Sequence, residues 1–79
     1  MELRPELQRF AEAVEKILQF HDKEKGDSWK SCSLSILGDR LQEEMDEWEK
    51  FDQLSELLDI AAFCMFLWCR NEIASGRMK

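Results

Sequence analysis

The chain holds 79 residues, 44% of them hydrophobic and 35% charged, with eleven Lys and Arg against seventeen Asp and Glu and a net charge of -6. One small domain spanning 1–79 is expected, and a chain this short buries only about 60% of the surface it exposes when unfolded. Three Gly and one Pro exclude collagen-like or Pro/Gly-rich disorder, and the acidic balance excludes a non-specific grip on a nucleic-acid backbone, which needs many basic groups to displace counterions.

Leu3, Leu7, Phe10, Val14, Ile17, Leu18 and His21 recur at spacings of three and four. This predicts a first helix over about 3–22 with a single apolar stripe. Pro5 suits its first turn, where the missing N–H costs nothing. From Asp22 to Ser33 the segment DKEKGDSWKSCS is polar, contains Gly26 and has no period. Residues 23–33 therefore read as a connecting loop, of a length that often carries function in small domains. A second helix is expected over about 34–50, capped by Ser33 or Ser35. A third is expected over about 52–75, with Gly76 as its stop. No strand-like alternation occurs, so the fold class is all-α.

The third helix is apolar nearly all round. Leu54, Leu57, Leu58, Ala61, Met65 and Trp68 occupy one face, and Ile60, Phe63, Phe66 and Leu67 roughly the opposite one. Two other helices of a short chain cannot enclose both faces. A three-helix bundle completed by oligomerisation, as a homodimer or homotetramer, is the expected architecture. The strip through Phe63 and Phe66 is the expected subunit boundary.

Three cysteines (Cys32, Cys64 and Cys69) with no CxxC pair read as reduced, mostly buried thiols. The N-terminal MELRPELQRF has no signal-peptide run. Ile60–Cys69 is the longest uncharged stretch, about half the length of a membrane span. A cytoplasmic domain with neither membrane nor nucleic acid as partner is expected.

Most of the seventeen acids belong on solvated helix faces. Glu44 does not: it falls within the stripe of Leu37, Leu41 and Trp48, with Glu47 at the stripe's border. Glu56 and Asp59 share the face of Phe63. A hairpin folded between Phe51 and Asp52 sets Glu47 opposite Glu56 and Glu44 opposite Asp59. Each helix then presents two acids about 4.5 Å apart along its axis. Two bare carboxylates about 4 Å apart repel by roughly 4 kcal/mol at an effective dielectric near 20. Arg40, Lys50 and Arg70 read as too few and too peripheral to neutralise four acids. Hard oxygen donors at this density suit Mg²⁺ or Mn²⁺. A di-iron bundle needs Glu-x-x-His pairs, and the only histidine, His21, follows Leu18 by three.

Glu43-Glu44-Met45-Asp46-Glu47 followed by Glu56-Leu57-Leu58-Asp59 resembles the Glu-Glu-x-x-Glu … Glu-x-x-Asp signature of the MazG-type all-α nucleoside triphosphate pyrophosphohydrolases. Gly26-Asp27-Ser28-Trp29-Lys30 is similar to the Gly/Trp loop before the first acidic helix of that family. The resemblance runs from about Phe10 to about Arg70. It implies that Glu44, Glu47, Glu56 and Asp59 hold the divalent metal, with Glu43 further out. It also implies that Trp29 lines the base or sugar end of the pocket and that Lys30 meets phosphate oxygens. Family domains commonly use a fourth element, so the resemblance implies that a partner subunit completes the pocket or that the site is degenerate. Ala62 stands where many such sequences have asparagine.

On the residues themselves, Trp29 fits loop packing as well as base stacking, and His21 reads as a partly buried member of its stripe. Phe63 is either pocket floor or core. Arg70 is either a phosphate contact or a charge favoured by the helix C-terminus. The expected function is Mg²⁺-dependent hydrolysis of a (deoxy)nucleoside triphosphate to the monophosphate and pyrophosphate, with Glu47 orienting or deprotonating the attacking water. The alternative is a non-catalytic acidic helical module that binds nucleotide, metal or a protein partner.

Overall fold

The computed structural model describes residues 1–79. The chain is all-helical: α1 (Pro5–Asp22), a 3-10 turn (Ser28–Lys30), α2 (Leu34–Phe51) and α3 (Leu54–Ala74), without strands. No helix is long and apolar enough to cross a membrane.

The helix ends follow local chemistry. α1 begins at Pro5 and not at residue 3, because a proline forces the residue before it out of the helical region. Arg4 is accordingly extended, and Glu6 in the first turn and His21 in the last complement the helix dipole. Of the two candidate caps, Ser33 is used: its Oγ accepts from the Ile36 N–H at 3.3 Å, while the Ser35 hydroxyl pairs with that of Ser33 at 3.0 Å. α2 runs one residue further than the sequence suggests and ends on Asp52, whose φ of 57° is left-handed. Asp and Asn tolerate that conformation better than most residues. Gln53 is then extended, so α3 starts at Leu54 and not at Asp52. Gly76, at φ 78°, closes α3, and the N–H groups of Arg77 and Met78 return to the Glu72 carbonyl at 3.0 and 3.2 Å.

α3 is the middle helix. α2 folds back along it through the two-residue Asp52–Gln53 turn, and α1 packs on it from the other flank. The core is small: only Val14, Leu37, Ala62 and Cys69 are buried, and no side chain is completely enclosed. Cys32 is half-buried and Cys64 exposed, so the expectation of mostly buried thiols holds only for Cys69.

The two expected faces of α3 do not divide into inner and outer. Leu58, Ala61 and Met65 of the first and Ile60, Phe63, Phe66 and Leu67 of the second are all half-buried, and Ala62 and Cys69 between them are buried. Phe63 and Phe66 turn inward, whereas Leu54, Leu57 and Trp68 are left exposed. The cause is a long-range contact. The Trp29 ring stacks on Phe66 at 4.8 Å with the planes 11° apart, and Phe63 meets Phe66 edge-on at 5.6 Å. Arg70 ties this turn down: one guanidinium nitrogen donates to the Trp29 carbonyl at 2.9 Å and to the Cys32 carbonyl at 2.7 Å. Charged hydrogen bonds of this kind contribute about 1.5–3 kcal/mol. Arg70→Ala is therefore expected to cost about 2 kcal/mol in urea denaturation and to make residues 23–33 the first site of limited proteolysis. Unchanged stability and protection would show that the tie is not needed.

Candidate functional site

Between α1 and α2, over the inward face of α3, lies an open cleft of about 430 Å³, within the range of small-molecule pockets. Ile17 and Leu18 of α1 form one wall, and Trp29 with Phe66 closes the far end. Phe63 and Ala62 make the floor, and Arg40, Glu44, Asp59 and His21 bring the polar groups. Gly26 also borders the cleft. Its φ of 49° lets the chain turn sharply after α1, where its N–H returns to the Asp22 carbonyl at 3.1 Å.

Three carboxylates converge here. Glu44 of α2 and Glu56 and Asp59 of α3 present oxygen atoms that all lie within 4.8 Å of one another, each residue half-buried. Burial pushes the Glu44 carboxyl up to about 7, helped by its hydrogen bond to Glu56 and by the negative charges of Asp59, Glu47 and Glu56. Asp59 is also raised, chiefly by burial. Glu47 adds to that shift, while the charges of His21 and Arg40 oppose it. Burial first, and the neighbouring acids second, thus favour the protonated form of Glu44 far more than in a free carboxyl.

Glu47, expected as a fourth ligand, is exposed and stands outside this trio. It sits about 60° around α2 from Glu44, off the line that packs on α3, so it reaches the cluster as a charge from the rim. Lys30 does not line the cleft. Its ammonium pairs with Asp27 at 3.4 Å and caps the Trp29 ring at 5.5 Å from the centroid. Arg70 does not line it either, being committed to the two loop carbonyls. Phe63 is in the cleft floor, and Trp29 lines the cleft while giving one ring face to Phe66.

Two residues have larger places than their sequence context shows. Arg40, which reads as peripheral, lines the cleft with its guanidinium carbon 5.6 Å from the Phe63 ring centroid. Its Nε is buried and within 3.4 Å of a Glu43 oxygen, but not in hydrogen-bonding geometry. His21, expected to be partly buried, is exposed at the cleft edge, where its charge acts on Asp59. The signal available for Arg40 was its position four residues before Glu44, which places both on one side of α2.

The donor chemistry fits a hard divalent cation. All three converging groups are carboxylates, with no thiolate or imidazole among them, a donor set of the kind hard cations take and unlike that of a structural zinc site. The raised Glu44 carboxyl reflects its burial beside Glu56, Asp59 and Glu47. No family model, curated protein or solved structure matches this chain.

Proposed function

We propose that the chain hydrolyses a (deoxy)nucleoside triphosphate to the monophosphate and pyrophosphate with Mg²⁺ or Mn²⁺, as its resemblance to the MazG-like family implies. The observation that supports this most is the meeting of Glu44, Glu56 and Asp59 at an aromatic-floored cleft. Acid clusters are common on protein surfaces, but a cluster bordering a cavity with three aromatic rings serves both ends of a nucleotide. In this reading Glu44, Glu56 and Asp59 would hold the cation, which would supply charge neutralisation and Lewis-acid polarisation at the phosphoryl group.

The chain's own groups take the remaining roles. Phe63 and the edges of the stacked Trp29 and Phe66 rings receive the base, with apolar contact as the main attraction. Arg40 meets the phosphates, in the place that the resemblance gave to Lys30 and the sequence reading to Arg70. Glu47, exposed at the rim, orients the attacking water and takes up its proton. A second copy completes the bundle, as a homodimer or homotetramer, and the working place is the cytoplasm.

The test is pyrophosphate release from a panel of nucleoside triphosphates in Mg²⁺ or Mn²⁺. Turnover of at least one, lost on chelation, is expected. Trp29→Ala is expected to weaken nucleotide binding about tenfold, at the low end of the 1–3 kcal/mol that an aromatic contact to a base is worth. It should also lower the melting temperature, because the ring packs on Phe66. Metal-dependent stabilisation without any turnover would instead make the chain a non-catalytic module that binds nucleotide, metal or a protein.

A further inference from the structure

On the side of α3 away from the cleft, a second apolar line is left uncovered. Leu54, Leu57, Ala61, Cys64 and Trp68 succeed one another at spacings of three, four, three and four. That alternation is the heptad seam by which one helix meets another. At about 100° per residue the line lies roughly opposite Asp59 and Phe66 around α3. Leu54 is 75% exposed, Trp68 59% and Leu57 37%, and Cys64 is exposed as well. No charged residue stands on the line, so the net negative charge of a second copy is not brought against it.

The total surface points the same way. The chain exposes 6394 Å², about 1,400 Å² more than the roughly 5,000 Å² of a folded monomer of 9.4 kDa. Its radius of gyration is 13.3 Å, against about 11.6 Å for a compact domain of this length. A standard interface removes about 800 Å² from each partner, so the excess is enough for one. Four buried residues make a core too small to leave a seam of this kind in water.

We propose that a second copy of the chain covers this seam, with the two α3 helices antiparallel and the twofold axis at Ala61. Ala61 is midway between Leu54 and Trp68, and its small side chain lets the helices approach where they cross. The axis sets Trp68 against the partner's Leu54, so a large ring meets an aliphatic side chain at each end. A parallel pair would instead press Trp68 against the partner's Trp68. This seam lies on the far side of α3 from the carboxylates, so pairing through it leaves the cleft open and does not depend on what the cleft binds.

Sedimentation of the full chain tests the proposal. The wild type is expected at twice its chain mass over micromolar concentrations. Leu57→Glu and Trp68→Glu should each weaken association by at least about thirtyfold and return the chain mass, with helical circular dichroism retained because both side chains are exposed. In a Cys64→Ser background, Ala61→Cys should give a disulfide-linked dimer on mild oxidation. The native Cys64, about 9 Å along the axis from the partner's Cys64, should not cross-link, since a disulfide needs Cα atoms closer than about 7 Å. If the glutamate variants lose helicity, the Ala61→Cys cross-link decides by itself. A wild-type monomer, a dimer that survives both glutamates, or ready cross-linking through Cys64 overturns the proposal.

Discussion

Glu44→Gln is expected to remove the response of the protein to Mg²⁺ and Mn²⁺ while leaving it folded. For the wild type, a cation at a hundred times its dissociation constant contributes about 2.7 kcal/mol, since it binds the folded state only. In a domain of this size that raises the melting temperature by on the order of 10 °C. The variant keeps the shape of Glu44 and offers an amide donor to Glu56, but it replaces one of the three converging carboxylates with a neutral amide, a far weaker ligand for a hard cation. Without metal it should melt at the same temperature as the wild type or higher, because it removes one charge from a crowded set instead of orphaning a partner. Asp59→Asn should behave alike, and pyrophosphate release should fall with either substitution. A variant that unfolds yet keeps full metal affinity would make these acids structural.

A second expected result is a reversed pH dependence of stability in chelator. The Glu44 carboxyl is raised from 4.5 to about 7 on folding, mainly by burial. Between those values the native state binds more protons than the unfolded state, so unfolding free energy falls as pH rises. The stabilising contribution is fully present below about 4.5 and gone above about 7, opposite to an acid held by a salt bridge. Asp59, raised from 3.8, acts in the same direction from a lower starting point. Subtracting the Glu44→Gln melting curve isolates the Glu44 contribution from other titrating groups. Metal affinity should run the other way, because the cation must displace the proton; it should drop about fiftyfold from pH 7 to pH 5. A wild-type minus variant difference that grows more stabilising from pH 4.5 to 7 in chelator would show that Glu44 is not crowded as described.

Much of this protein is legible from local sequence because helix formation and helix ends are local chemistry. The three-and-four spacing of apolar residues marks three helices. Pro5, Ser33 and Gly76 mark ends through their own backbone preferences and side-chain oxygens. Glu44 within an apolar stripe, and Glu56 and Asp59 beside Phe63, already indicate acids that turn away from water, and they do meet. Tertiary contacts decided the rest. Helical periodicity gives the phase of each face of α3, but with apolar residues all round it cannot say which face the chain covers. That choice depends on Trp29 reaching Phe66 and on Arg70 holding carbonyls 41 and 38 residues away, contacts between segments whose own patterns carry no trace of one another. The same closure brings Arg40 into the cleft, while α2 packing leaves Glu47 at its rim. A side chain's angle around its helix is local, but its partners are set by how three helices and one polar loop close on each other.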